Sequence, residues 1–212
     1  LYSYVKNPFT KDAYFDFDLL AQHAARAQRI MDDIIDLEME KIEIILEKIQ
    51  SDPEPDEVKA SERNLWQKIR SKTLKGRRTG VGTTAEGDML AALGLKYGTP
   101  EATEFSVKVH RALALAIYRA SVQLAKERGA FEVFDAEREK NNPYINRLRE
   151  ADPELIEDMM KHGRRNIACL TIAPTGTTSL MTRTTSGIEP VFRPIYKRRR
   201  KVNPSDTAVR ID

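Results

Sequence analysis

Apolar residues in the first half of the chain recur at three- and four-residue steps, the spacing that lays side chains along one side of an α-helix. Between Asp16 and Ile49, Leu19, Leu20, His23, Ala27, Ile30, Ile34 and Ile35 form such a stripe. Asp32, Asp33, Asp36, Glu38 and Glu40 take its polar side. The stretch SDPEPDE (51–57), two prolines among acids, ends this element and leaves Asp56 to cap the next. A more polar helix is expected from Glu57 to Lys75, carrying the single tryptophan, Trp66. Glycines at 76, 80, 82 and 87 break any long helix, and a short one resumes over 88–95. Thr99-Pro100-Glu101 is a helix start, because proline at the first helical position lacks an N–H that would have no partner there. A second stripe follows, through Phe105, Val109, Ala112, Leu113, Ile117, Ala120 and Leu124, until Gly129 stops it. The charged segment 130–163 is divided into short helices by Pro143 and Pro153 and ends at Gly163.

The pattern then changes. Ile167 to Ile172 is a short, apolar, β-branched run suited to a buried strand, and Pro174 ends it because proline cannot donate to a sheet ladder. Long helices before a buried strand and a glycine-containing loop predict an α/β architecture. In open α/β sheets and barrels, ligands sit beyond the carboxyl ends of strands, where Pro174, Thr175, Gly176, Thr177, Thr178 and Ser179 fall. Gly176 allows close approach of a ligand, and the hydroxyl and N–H groups around it suit phosphate oxygens at a helix N-terminus. A helix capped by Thr or Ser after a strand has the same spelling and needs no ligand. The loop is not a Walker A loop, since no Gly-Lys-Ser/Thr follows.

Composition narrows the classes. In 212 residues, 41% are hydrophobic and 32% charged, enough for a core with heavily solvated helix faces. The net charge of +3 is too small to argue for a nucleic-acid or membrane partner. One cysteine, Cys169, excludes an internal disulfide framework and a multi-cysteine zinc site. No stretch reaches the roughly 18 apolar residues of a membrane span and no signal-peptide pattern opens the chain, so a cytoplasmic protein is expected. The opening LYSYVKNPFT and the closing DTAVRID read as the ends of an excised segment.

Other motifs carry less. GRRTGVG (76–82) differs from G-x-G-x-x-G in spacing and is expected to be a tight structural turn. His23, His110 and His162 are separated too widely in sequence to suggest a metal-ligand cluster. YKRRRK (196–201) is a basic run that could meet a polyanion, but short runs of this kind are commonly solvated surface. Glu189 is a carboxylate between Ile188 and Pro190, placed to cap or pair.

APTGTTSLMTRTTSGIEPVF (173–192), followed by YKRRRKVN, resembles the large-subunit barrel of ribonucleotide reductases, most closely the adenosylcobalamin-dependent class II branch. GRRTGVGTTAEGDMLAALGLKYGTPEA (76–102) is similar to an upstream segment of the same family, in family order. The resemblance implies a ten-stranded α/β barrel, of which this chain would be a helix-rich fragment from the second half. Residues 1–212 would form one partial domain, mostly helical over 1–163, with strand, phosphate loop and following segment over 164–212. It implies reduction of ribonucleotides to deoxyribonucleotides for DNA synthesis by thiyl-radical chemistry. The loop Pro174–Ser179 would hold substrate phosphates, with Ser186, Gly187, Ile188, Glu189 and Pro190 supporting that wall. It further implies adenosylcobalamin as cofactor, the rest of the reductase polypeptide as partner and a thioredoxin-type reductant. The family's chemistry needs a radical cysteine and a redox pair; Cys169 matches none of these and reads as a buried, inert thiol, so the chain alone is expected to be inactive. The radical cysteine's loop would lie just before Leu1. Two alternatives remain: a class I large subunit, and a non-enzymatic helical module whose basic tail binds nucleic acid.

Overall fold

The computed structural model describes residues 1–193, 195, 197, 199–201, 203, 205 and 209–211. After a 3-10 turn at Tyr2–Tyr4, β1 (Val5–Lys6) pairs antiparallel with β2 (Tyr14–Phe15). Helix α1 (Phe17–Ser51) follows, then α2 (Asp56–Gly76), α3 (Glu86–Ala92) and α4 (Pro100–Arg128). Three shorter helices, α5 (Ala136–Lys140), α6 (Pro143–Ala151) and α7 (Pro153–His162), lead to α8 (Gly176–Thr182). β3 (Arg199–Lys201) pairs antiparallel with β4 (Val209–Ile211). The basic run at 196–201 lies partly outside the described residues.

Local chemistry explains the helix starts. Asp16 Oδ1 accepts from the Leu19 N–H at 2.9 Å to begin α1, and Thr99 accepts from the Ala102 N–H to begin α4 with Pro100 at its first position. Pro143 and Pro153 open α6 and α7, each behind an Asn or Asp cap. Asp56 does not cap α2: it is the first helical residue, behind Pro55. Its charge still lies at the positive end of the helix dipole.

The core is a cluster built largely on α4, with Val109, Leu113, Ile117 and Val122, against Leu20 and Ala24 of α1, Met89 and Leu90 of α3, and Ile156 and Met159 of α7. Each large apolar side chain buried there contributes about 1.5–3 kcal/mol relative to exposure. The α4 stripe is therefore read correctly from sequence. The α1 stripe is not. Its buried face is Leu20, Ala24, Gln28, Asp32, Ile35, Ile42 and Ile49, while Ile30 and Ile34 are exposed at 59% and 47%. Gln28 and Asp32 face inward because partners from other segments neutralise them, as described below.

The strand expected at 167–172 is present only as a parallel pairing with 76–81. The Ile167 N–H donates to the Gly76 carbonyl at 2.8 Å, and those of Thr79 and Val81 donate to the carbonyls of Ala168 and Cys169 at 2.9 and 2.8 Å. The Thr171 N–H returns to the Val81 carbonyl at 3.1 Å, and Val81 forms a parallel bridge with Leu170. GRRTGVG is thus half turn and half strand partner, rather than a turn alone. Gly82 belongs there because a Cβ on it would lie 2.6 Å from the Thr171 carbonyl oxygen. Burial is also less complete than expected: Cys169 is fully buried, but Ile172 is 67% exposed. A parallel sheet is covered on both faces in complete α/β folds. No barrel closes among the described residues.

Candidate functional site

Pro174 to Ser179 emerge from the carboxyl end of the parallel pair, and Gly176 begins α8. The Ser179 N–H donates to the Thr175 carbonyl at 2.7 Å, the first bond of that helix. The N–H groups of Gly176, Thr177 and Thr178 have no acceptor among the described residues, as befits the first turn of a helix. Thr177 and Thr178 are exposed, whereas Ser179 is buried with its hydroxyl donating to the Gly176 carbonyl at 2.9 Å. Gly176 does not have a left-handed backbone, and a Cβ there would meet nothing within 4 Å.

The loop is held from two directions. Thr175 Oγ1 accepts from the Gly187 N–H at 2.6 Å and lies 3.0 Å from Thr84 Oγ1. Thr84 donates to the Thr185 carbonyl at 2.9 Å, which also accepts from the Ala85 N–H at 3.0 Å. Asp88 accepts from the Thr185 N–H at 2.7 Å, and Thr185 Oγ1 accepts from the Asp88 N–H at 3.2 Å. Gly187 has φ of +50°, a conformation that favours glycine, and is buried. Tyr97 donates from its hydroxyl to the Ile188 carbonyl at 2.9 Å, and Glu189 is exposed with its N–H bonded to the Ser186 carbonyl at 3.1 Å. Pro190 is exposed beside Gly87, where a Cβ would stand 3.0 Å from the Pro190 Cα.

Every sequence-read site residue therefore lies in one region, but their environments differ. Thr175 and Ser179 are engaged internally, whereas the donors of Gly176, Thr177 and Thr178 are open. Sequence reasoning missed Thr84, Asp88 and Thr185, the residues that hold the loop. A signal was present in TTAEGD, since Thr and Asp are the side chains that most readily bond nearby backbone. What sequence lacked was the partner, 97 residues away for Asp88 and Thr185.

Behind this wall, Glu86 is buried, accepts from Ser106 and lies 2.8 Å from His110 Nε2. Burial pushes its pKa up, but the hydrogen bonds and charge of His110, with Ser106, outweigh that and hold it below the usual carboxylate value. His23 meets the Tyr4 hydroxyl and His162 lies 3.6 Å from Asp158, so the three histidines do not converge.

At the opposite, amino ends of the pair, Asp32 sits fully buried. It accepts from Arg77 Nε and Asn166 Nδ2, both at 2.9 Å, and from Arg128 and Arg165 at 3.2 Å. Asn166 Oδ1 in turn accepts from Gln28 and Ser121, both at 2.9 Å. Burial raises the Asp32 carboxyl, but the Arg77 and Asn166 hydrogen bonds and the arginine charges bring it below its ordinary value. Asp33 and Asp36 lie beside it, also paired with Arg128 and Arg77. This carboxylate group is occupied by guanidiniums rather than arranged for a cation. Cys169, 0% exposed, has its thiol pushed up to about 11 by burial, which keeps it protonated and poorly nucleophilic at neutral pH.

A helix-rich chain with a short helix starting just beyond the carboxyl end of a parallel pair is the kind of protein the geometry defines. Residues 1–209 match the family model described as ribonucleotide reductase, barrel domain, and the chain belongs to that family. It is 30% identical over 188 residues to a vitamin B12-dependent ribonucleoside-diphosphate reductase of Mycobacterium tuberculosis (strain CDC 1551 / Oshkosh), covering 88% of this chain and 21% of that protein. A protein of the same name from Thermoplasma acidophilum is 29% identical over 178 residues, 84% of this chain and 18% of the relative. A ribonucleoside-diphosphate reductase subunit alpha of Treponema pallidum (strain Nichols) is 27% identical over 128 residues, 59% and 15% respectively. The chain thus spans about a fifth of the length of these vitamin B12-dependent relatives. No helix among the described residues is long and apolar enough to cross a membrane.

Proposed function

We propose that this chain is one partial domain of a ribonucleotide reductase barrel of the vitamin B12-dependent type, and that it supplies the wall binding the phosphates of a ribonucleotide substrate. The parallel pair 76–81 and 167–171 would be two adjacent strands of a ten-stranded barrel. The observation that carries the site is the row of N–H groups at Gly176, Thr177 and Thr178, which have no acceptor among the described residues, at the carboxyl end of that pair. Backbone donors on a helix start suit a phosphate, whose charge they meet without a lysine. The hydroxyls of Thr177 and Thr178 are exposed beside them. Gly187, Ile188, Glu189 and Pro190 form the buttress behind.

What this segment does is position substrate, which converts a bimolecular encounter into a held geometry. Reduction of the ribose would come from cysteines elsewhere in the complete polypeptide, because a two-electron reduction by thiols oxidises two of them and this chain holds one. Adenosylcobalamin would supply the initiating radical in the complete enzyme. The residues described do not fit that cofactor: the histidines are engaged with Tyr4, Glu86 and Asp158, and the thiol is buried. The chain alone is therefore expected to give no turnover, with a thioredoxin-type protein as reductant of the complete enzyme.

The test is Gly176→Val in the complete reductase. A Cβ there meets nothing within 4 Å among the described residues, so the added side chain disturbs no packing and would crowd a ligand held on the loop. A rise in nucleotide KM of about tenfold or more supports the loop, and an unchanged KM removes it. Relatives named without vitamin B12 match too, one at 26% identity over 85% of this chain and another at 35% over 31% of it, so a class I reading is the alternative. Dependence of activity on added adenosylcobalamin, rather than on a radical-generating partner subunit, separates the two.

A further inference from the structure

We propose that Thr84 is a positioning residue for the phosphate loop, acting through the hydroxyl of Thr175; this rests on the loop reading above. Thr84 Oγ1 stands 2.9 Å from the Thr185 carbonyl oxygen and 3.0 Å from Thr175 Oγ1. A threonine hydroxyl carries one proton and a carbonyl only accepts. Thr84 therefore gives its proton to Thr185, and the Thr84–Thr175 contact is a donation from Thr175. The Thr175 oxygen then accepts from the Gly187 N–H at 2.6 Å, with Ser186 Oγ at 3.5 Å as a second neighbour.

With its proton committed to Thr84, Thr175 has none to offer an anion. Its hydroxyl ties the entrance of α8 to Gly187 on one side and to Thr84 on the other. The phosphate donors are then the N–H groups of Gly176, Thr177 and Thr178 and the hydroxyls of Thr177 and Thr178. Thr84 orients Thr175 because the Thr185 carbonyl it donates to is itself fixed by the Ala85 N–H, and the Thr185 N–H is fixed by Asp88. Without the Thr84 hydroxyl, those two anchors persist, but Thr175 loses its acceptor and its reason to face Gly187.

The experiment is steady-state kinetics of the complete reductase carrying Thr84→Val, which keeps the shape and removes the hydroxyl, and Thr84→Ser, which keeps the hydroxyl. Thr84→Val is expected to raise nucleotide KM about tenfold while kcat stays within about twofold, and Thr84→Ser to restore KM. Thr84→Ala serves where the valine variant does not fold. Impairment of Thr84→Ser with Thr84→Val unaffected would mean that Thr84 acts through its methyl, and equal impairment of both that the whole side chain is needed for packing; either result overturns the relay. Gly176→Val is run alongside. If it raises KM and Thr84→Val does not, the relay is wrong and the loop stands; if neither does, the loop reading falls and the relay with it.

Discussion

The segments 76–88 and 164–187 are joined at both ends, once by charge and once by hydroxyl groups. At the amino ends of the parallel pair, Asp32, Arg77, Arg165 and Asn166 form a buried network in which no side-chain polar atom among the described residues lacks a partner. At the carboxyl ends, Thr84, Thr175, Thr185 and Gly187 are joined through hydroxyl and backbone groups, with the Asp88 carboxylate on the Thr185 N–H, and three backbone donors are left without an acceptor among the described residues. The first end is saturated and fixes the register of the two segments. The second is saturated on its inner side alone, which is what a binding surface requires.

The largest expected effect is at the charged end. Asp32→Ala strands Arg77, Arg165 and Asn166 in a buried setting and should destabilise the fold by about 3–5 kcal/mol, read by denaturant unfolding. A loss below about 1 kcal/mol would erase the distinction between the two ends. Next is Gly82→Ala, whose Cβ would press to 2.6 Å from the Thr171 carbonyl oxygen. Backbone must move, and a destabilisation of about 1–3 kcal/mol is expected by thermal melting. Gly176→Val, at the open end, should leave stability within about 0.5 kcal/mol while changing KM, the reverse signature.

A smaller effect concerns acid. The folded pKa of Asp32 lies below its ordinary value, so its pairing stabilises the fold above the unfolded pKa, and that contribution is lost as pH falls through the lower folded value. Below about pH 4, stability of the parent should therefore fall more steeply than that of Asp32→Asn, measured by unfolding across pH. Smallest is Cys169, which should resist a thiol reagent in the native chain and react once unfolded. Native labelling would contradict its burial.

How far the site was legible follows from the range of its contacts. Gly176, Thr177 and Thr178 announce themselves because strand, proline and helix start are neighbours in sequence. Thr84 and Asp88 do not, because the groups they hold arrive from 91 to 101 residues away. Asp32 misled for the same reason. A carboxylate on a helix is ordinarily solvated, and only the arrival of Arg77 from after α2 and of Arg165 and Asn166 from after α7 turns that face inward. Ile30 and Ile34 are displaced outward by the same choice.

The sequence by itself determined the helices and their ends, since caps, prolines and glycines act within a few residues. The α4 stripe and the helix start at Gly176 are of that kind. Tertiary structure alone decided which side of α1 is buried, which segment pairs with 167–171, and which threonines hold the loop rather than face a ligand. Those outcomes depend on bonds between residues far apart in the chain, and a hydroxyl or carboxylate shows its role only once its partner is in place.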